Sequence, residues 1–188
     1  ELMAQAGFAF EVLVSEADET IETETPGEMV EVLSERKAAA VAEEIKRQGF
    51  AEESVLLVGA DTMVAIDGKK LGKPKDEADA KRMLTLLSGR KHAVYTGVTF
   101  VFLDKNGRAG AHTFYEKTEV TMKPLSEPEI DRYVATGEPM DKAGAYGIQG
   151  KCAIYIEGIE GDYNNVVGLP VARIYKELQK LGIDPYLW

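Results

Sequence analysis

The sequence predicts an α/β fold built on a mixed sheet with prominent hairpins. Apolar runs typical of strands alternate with stretches whose apolar residues recur every three or four positions, as in helices. The segments Asp67-Gly68 and Asp104-Lys105-Asn106-Gly107 are hairpin turn signals between strand-like runs. Because parallel strands need long crossover connections, these short turns argue against a purely parallel sheet.

The first part of the chain predicts a helix end, a strand and a long helix. Glu1 to Gly7 is typical of a helix that closes on a C-cap glycine, and Phe8 to Val14 is a strand candidate. Pro26-Gly27 opens a helix that runs to about Gln48. Its apolar stripe consists of Val30, Leu33, Val41 and Ile45.

The rest of the chain alternates between strand and helix signals. Val55 to Ile66 is an apolar strand run, and Asp76 is the N-cap of a helix that ends at Ser88-Gly89. Ser126 and Glu129 have the spacing of a capping box, which starts a short helix. The remaining predicted elements are strands at Ala93 to Leu103, Ala111 to Met122 and Ala153 to Ile156, and a last helix from about Pro170 to Leu181.

Length and composition predict a single domain that spans residues 1–188. Of its residues 45% are hydrophobic and 29% charged, which is ordinary for a globular protein. The single cysteine, Cys152, allows no intramolecular disulfide and fits the reducing cytoplasm, where we expect an inert buried thiol. No apolar stretch approaches the roughly 20 residues of a membrane span, so no membrane association is expected.

The net charge of −10 argues against binding to a nucleic acid polymer, which requires a basic face. It does not exclude one small nucleotide held by a few cationic side chains and a divalent metal ion. Much of the acidic charge lies between Glu16 and Glu28, in a stretch broken by threonines and Pro26-Gly27. Most of those carboxylates are expected to lie in a solvated loop.

Asp61 is the most informative residue, because it interrupts the apolar strand run from Val55 to Ile66. A carboxylate in such a place must be paired, bind a metal ion or shift its pKa. It could cap the strand or pair with a lysine or arginine of the core. The alternative that we favour is an active-site carboxylate at a strand end.

Lys37 is the second anomaly, since it stands on the apolar stripe of the long helix. It either reaches along the surface to the solvent or directs its ammonium group into a cleft. Lys73 precedes Pro74, and Gln149 lies in a glycine-punctuated loop. Carboxylates for Mg²⁺ or Mn²⁺, lysines for phosphate oxygens and an amide for a base edge suit chemistry on a nucleoside polyphosphate.

Seven longer blocks of the sequence stand together in one order along the chain. They are Gly59-Ala60-Asp61-Thr62, Leu71-Gly72-Lys73-Pro74-Lys75-Asp76, Leu87-Ser88-Gly89-Arg90, Val94-Tyr95-Thr96-Gly97-Val98, Ala135-Thr136-Gly137-Glu138-Pro139, Asp141-Lys142-Ala143-Gly144-Ala145-Tyr146-Gly147-Ile148-Gln149-Gly150 and Glu160-Gly161-Asp162-Tyr163-Asn164-Asn165-Val166-Val167-Gly168-Leu169-Pro170. Together these blocks resemble the Maf family of septum-formation-inhibitor-like nucleoside triphosphate pyrophosphatases. The resemblance covers the chain from Glu1 to the last helix and is strongest in the longer blocks.

The resemblance implies two lobes around a deep cleft, as in the inosine triphosphate pyrophosphatases. It also implies metal-dependent hydrolysis of a nucleoside triphosphate to the monophosphate and pyrophosphate. Asp61 matches the family's proton acceptor, and Glu19 matches an acidic-loop residue expected to bind metal or position water. Lys37 and Lys73 match the lysines assigned to phosphates.

Asp61-Thr62 and Gly147-Ile148-Gln149-Gly150 resemble the branch of the family that acts on dTTP and UTP. A glutamine amide can accept from N3–H of uracil or thymine and donate to a carbonyl of the same edge. Members specific for 7-methyl-GTP typically carry Gln after the Asp and Glu in place of Gln149. The alternatives are the same reaction on another nucleotide, such as 7-methyl-GTP or a modified pyrimidine, and a non-catalytic regulator of cell division.

The family begins with a strand followed by Ser-x-Ser-Pro-Arg-Arg, and Glu1-Leu2 aligns just after it. We therefore expect this strand and phosphate loop to precede residue 1, and a protein without them to turn over substrate poorly. The long β ribbon from Ala93 to Met122 could pair with a second copy, so a homodimer is also expected.

Overall fold

The computed structural model describes residues 1–18, 20, 25–48, 54–104 and 109–186. Helices lie at Leu2–Gln5 (α1), Pro26–Arg47 (α2), Glu77–Leu87 (α3), Glu127–Val134 (α4), Tyr163–Val167 (α5) and Val171–Lys180 (α6). Strands lie at Val55–Ile66 (β1), Lys69–Leu71 (β2), Lys91–Leu103 (β3), Ala109–Met122 (β4) and Ile156–Glu160 (β5). Short 3-10 helices occupy Glu138–Asp141, Ala143–Ala145 and Lys151–Tyr155.

The strands form a five-stranded sheet in the order β2-β1-β3-β4-β5. β1 and β2 pair antiparallel through the Asp67-Gly68 turn, with Val64 opposite Leu71. β4 and β5 also pair antiparallel, with Glu119 opposite Glu160. The predicted mixed α/β class with hairpins is confirmed, whereas the cleft implied by the resemblance stays a prediction.

The chain divides into two compact units, Glu1–Asp61 with Thr96–Glu116 and Gly168–Trp188, and Thr62–Tyr95 with Lys117–Val167. The first unit has two apolar clusters, one between α2 and the outer parts of β1 and β3, the other around Phe100 and α6. The core of the second unit joins α3 and α4 to the remaining strand halves. Among the helices that the structure describes, none combines the length and apolar character that a bilayer crossing demands.

Local signals in the sequence explain where the helices begin and end. Thr25 and Glu28 form a capping box at the start of α2, and Ser126 and Glu129 form the predicted one at α4. Helix α1 ends in a Schellman motif, in which Gly7 has a φ of 78° and the Phe8 N–H donates to the Met3 carbonyl at 3.1 Å. These interactions satisfy backbone groups that each helix end leaves unpaired.

The predicted strand from Phe8 to Val14 is wrong, because among the described residues this segment forms no strand. A strand requires a neighbouring strand at hydrogen-bonding distance. This segment instead borders a cavity of about 650 Å³, which it lines together with the first half of β1. Val12 and Val14 are accordingly 77% and 89% exposed. The predicted Asp104–Gly107 turn falls largely outside the described residues.

The predicted strand from Ala153 to Ile156 is also wrong, since β5 begins only at Ile156. Residues 151–155 form a 3-10 helix that buries Cys152 and Tyr155 on one face. Positions three apart share a face in a 3-10 helix, which explains why Ile154 between them is exposed. The short apolar run is therefore compatible with both a strand and a 3-10 helix. The burial of Cys152 and Tyr155, three residues apart, goes with the 3-10 helix.

Candidate active site

Helix α2 crosses β1 and β3 at two glycines where the backbones come into close contact. A Cβ at Gly59 would lie 2.6 Å from the Ser34 carbonyl oxygen and 2.9 Å from the Ala38 Cβ. A Cβ at Gly97 would overlap the carbonyl group of Val30. Ser34 and Thr99 reinforce this contact through a buried hydrogen bond of 2.8 Å between their hydroxyls. The helix therefore lies closer to the sheet than side chains on these strands would permit.

This close approach brings Lys37 to Asp61. Asp61 follows Gly59 by two residues and so points to the same face of β1, toward α2. Lys37 precedes Ala38, which touches Gly59, and its Nζ donates to Asp61 Oδ1 at 2.6 Å. The side chains are 25% and 12% exposed. The two anomalies of the sequence thus form one partly buried ion pair.

The pair matches one interpretation that we weighed for Asp61, a carboxylate that pairs with a lysine of the core. It also leaves chemical uses open, because neither side chain is fully enclosed. An ammonium group has three donors and can serve a carboxylate and a phosphate oxygen together. A carboxylate can accept a proton from water or bind a hard cation.

Arg36 connects the same helix to the acidic segment and was not singled out in the sequence. Its Nη1 donates to the carbonyls of Asp18 at 3.2 Å and Thr20 at 2.9 Å, on either side of residue 19. The Thr20 N–H hydrogen bond holds the pKa of the Asp18 carboxyl below its ordinary value. Glu19 itself lies outside the described residues, so its predicted metal-binding role stays a prediction. The sequence gives no sign of this contact, because Arg36 is simply an exposed arginine next to Lys37 on a helix.

The described residues contain no group of three or more His, Cys, Asp or Glu side chains that could hold a metal ion by themselves. Asp61 offers one hard oxygen ligand next to an ammonium group. Mg²⁺ commonly uses only one or two carboxylates together with substrate phosphates, so this donor set fits a metal that arrives with a nucleotide.

Thr62, Lys73 and Gln149 belong to the second unit. Thr62 is half-buried in β1, and Lys73 and Gln149 are exposed. The Gly144 N–H donates to the carbonyl of Gly72 at 3.0 Å, which ties the segment of Gln149 to that of Lys73. A Cβ at Gly144 would meet the Val64 side chain at 2.9 Å, so this loop packs directly on β1, two residues beyond Thr62.

His92 contacts Tyr146, which directly precedes the glycine-punctuated loop of Gln149. His92 and Tyr146 are both buried, and Nε2 lies 2.8 Å from the Tyr146 hydroxyl. Burial lowers the pKa of His92 to about 4, against a smaller opposing effect of the Arg90 backbone. The ring therefore stays neutral at pH 7. The other histidine, His112, contacts Glu177, with 3.3 Å between Nε2 and Oε2.

A family model described as Maf-like protein matches residues 1–181. This chain, an α/β protein with an ion-paired strand carboxylate, belongs to the Maf family. Similar relatives come from Agathobacter rectalis, 57% identical over 98% of this chain and 93% of the relative, and from Bacillus cytotoxicus, 53% identical over 96% and 88%. A third, from Bacillus thuringiensis subsp. konkukian, is 49% identical over 98% and 91%. Each of these relatives is named dTTP/UTP pyrophosphatase.

Proposed function

We propose that this protein hydrolyses dTTP and UTP to the nucleoside monophosphate and pyrophosphate, with residues 1–188 acting as one Maf-type domain. Identity of 57% to a dTTP/UTP pyrophosphatase, over nearly the whole of both chains, supports the reaction and carries the proposal. The Lys37–Asp61 pair supports the assignment of the reacting groups.

Asp61 accepts a proton from the water molecule that attacks the α-phosphorus. The new bond joins the water oxygen to the α-phosphorus, and the bond from that phosphorus to the oxygen bridging toward the β-phosphorus breaks. Pyrophosphate leaves with the electron pair of that bond. An anionic carboxylate held by an ammonium group is the form that can take the proton.

Lys37 and Lys73 neutralise the triphosphate. Lys37 can keep its hydrogen bond to Asp61 while its remaining donors face phosphate oxygens, so substrate binding need not strand the carboxylate. Lys73 is exposed in the segment between β2 and α3, where Pro74 restricts the backbone before it. Both cations stabilise the charge that develops on the leaving pyrophosphate.

A divalent cation, Mg²⁺ or Mn²⁺, completes the proposal. Asp61 and Glu19 would hold it together with phosphate oxygens, and when bound it would neutralise charge on the polyphosphate. Arg36 supports this role of the acidic segment, since it binds the carbonyls on both sides of Glu19.

Thr62 and Gln149 read the base. Uracil and thymine present acceptor, donor and acceptor along one edge, which an amide and a hydroxyl can match. Cytosine reverses part of this pattern and would leave buried polar groups unpaired, which costs free energy. The exposed position of Gln149 on a hydrogen-bonded turn supports this role.

We also propose that the protein acts in the cytoplasm as a homodimer, on free nucleotides rather than on nucleic acid or membranes. The net charge of −10 supports the choice of a small substrate that arrives with its own metal ion. Light scattering after size exclusion measures the oligomeric state; a monomeric mass would overturn the dimer.

The test is pyrophosphate release from dTTP, UTP, CTP, GTP and 7-methyl-GTP with Mg²⁺ or Mn²⁺. Turnover of dTTP and UTP should fall by about 10²–10⁴-fold in Asp61→Asn, the range typical of a lost general base. Asp67→Asn is the matched control, because Asp67 lies in the left-handed region, with a φ of 49°, which asparagine adopts readily. Turnover confined to 7-methyl-GTP would overturn the base assignment, and no turnover of any nucleotide would favour the regulatory alternative.

A further inference from the structure

The turn that carries Gln149 is held by the side chains of Tyr133 and Glu138. Residues Gly147 to Gly150 form a turn in which the Gly150 N–H donates to the Gly147 carbonyl at 3.2 Å. Gln149 is a central residue of this turn, and we call residues 147–150 the Gln149 turn. Within the turn itself, that one backbone hydrogen bond does not fix the direction in which Gln149 points.

Tyr133, from helix α4, holds the first end of the turn. Its hydroxyl accepts from the Gly147 N–H at 3.1 Å and donates to Glu138 Oε1 at 2.8 Å. The residue is 2% exposed, and burial raises the pKa of its phenol well above the ordinary value. The hydroxyl therefore remains a neutral donor and acceptor throughout the physiological range.

Glu138 holds the other end. Its Oε2 accepts from the Lys151 N–H, just after the turn, at 3.0 Å. A Cβ at Gly150 would overlap the Glu138 carboxylate, so the carboxylate lies directly against the backbone of the turn. A glycine at position 150 is what allows this approach. One carboxylate thus receives hydrogen bonds from Tyr133 and from the exit of the turn.

We propose that Tyr133 and Glu138, the Tyr133–Glu138 clamp, are positioning residues that set the base specificity of this enzyme by holding the Gln149 turn at both ends. This inference rests on the proposed function, because it takes Gln149 as the group that reads the base. Discrimination between UTP and CTP depends on an amide held in one orientation. A loosened turn lets the Gln149 amide reorient, so its penalty against cytosine falls.

The test measures kcat and KM for UTP and CTP and the amide hydrogen exchange of Gly147 and Lys151. Tyr133→Phe should speed exchange at both amides about tenfold or more and lower the UTP-to-CTP ratio of kcat/KM about tenfold, mainly through a higher KM for UTP. Glu138→Gln keeps an acceptor for the Lys151 N–H and should retain part of the preference that Glu138→Ala loses.

Tyr155→Phe is the matched control. The Tyr155 ring packs 6.4 Å from that of Tyr133, centroid to centroid, but in the described part of the chain its hydroxyl makes no hydrogen bond to the Gln149 turn. It should change neither exchange nor specificity. Unfolding curves of all variants separate a loosened turn from a damaged core.

The failures of the two proposals differ. Wild-type protein that does not prefer UTP to CTP overturns base reading, and with it the specificity role of the clamp. Wild-type preference that survives unchanged in Tyr133→Phe and Glu138→Ala overturns the clamp alone. Faster exchange with an unchanged UTP-to-CTP ratio also overturns it, because the turn would then be loosened without any effect on specificity.

Discussion

The two compact units hold their candidate functional groups by different physical means. In the first, Asp61 is set by backbone packing, because α2 lies against Gly59 and Gly97 and so delivers Lys37 to the carboxylate. In the second, Gln149 is set by side-chain hydrogen bonds from Tyr133 and Glu138. Closely packed backbones resist displacement because neither can shift slightly without a clash. The position of a hydrogen-bonded turn, by contrast, can be changed by substituting a single polar side chain. The difference suits the roles proposed above, a catalytic group that is fixed in place for Asp61 and a base-reading group that can be retuned for Gln149.

Gly97→Ala tests the close packing in the first unit and should have the largest effect on stability. The added methyl overlaps the Val30 carbonyl, so α2 must move away and the free energy of unfolding should fall by about 3 kcal/mol. Urea denaturation measures this. Gly158→Ala in β5 is the control, since a Cβ there meets nothing within 4 Å and should change stability by less than about 0.5 kcal/mol. Equal effects at both sites would refute tight packing at Gly97.

Lys37→Met tests the ion pair that the packing creates. Asp61, 12% exposed, would lose its ammonium partner, so the free energy of unfolding should fall by about 1–3 kcal/mol at pH 7. The double variant Lys37→Met/Asp61→Asn should be more stable than the sum of the single effects predicts, since no charge is then left unpaired. Strict additivity in urea denaturation would show that the pair contributes no coupling.

Tyr133→Phe tests the hydrogen-bonded side of the comparison. It leaves the Gly147 N–H and one Glu138 oxygen without their partner but keeps the buried ring, so we expect a loss of about 1–2 kcal/mol. This should be smaller than the loss in Gly97→Ala, measured under the same denaturation conditions. A larger loss would mean that the clamp supports the core and not only the turn.

Glu177→Gln should have the smallest effect on stability, and that effect should depend on pH. Hydrogen bonds from Lys180 and then Arg173 lower the pKa of Glu177 below its ordinary value of 4.5, against the effect of burial. Because the folded-state pKa is the lower one, the carboxylate stabilises the fold above about pH 4.5, and this contribution is lost as the pH falls through the folded-state pKa.

The stability difference between wild type and Glu177→Gln should therefore be largest near pH 7 and shrink below about pH 4. Thermal melts across this range measure it. Glu157→Gln, at an exposed position in β5, should show no such trend. A difference that does not vary with pH would exclude the charge of Glu177 as its source.

Much of the fold was predictable, because its elements carry local signals. Strand β1 was predicted with its observed bounds, and the caps of α3 and α4 follow from Asp76 and Ser126. Phe8 to Val14 failed because strand formation requires a partner elsewhere in the chain, which no local pattern reveals. Ala153 to Ile156 failed because a run of four apolar residues fits both a strand and a 3-10 turn.

The candidate site was predictable residue by residue but not as an arrangement. Asp61 and Lys37 each stood out against an apolar background, yet their contact depends on helix packing at Gly59, which joins residues 24 positions apart. Glu138 lay within a block that resembles the family, without any sign of its role. Tyr133 carried no sign of its role either, since a phenol on a short helix gives no local signal of the loop that it binds.

The buried thiol of Cys152 gives this protein a built-in reporter. It is the only cysteine of the chain, and burial raises its pKa to about 12, so the native protein should react slowly with thiol reagents. It follows Lys151, whose N–H is bound by Glu138, in the same 3-10 helix. The labelling rate of this one sulfur atom, measured by mass spectrometry, therefore reports how often this region opens, and no probe has to be introduced.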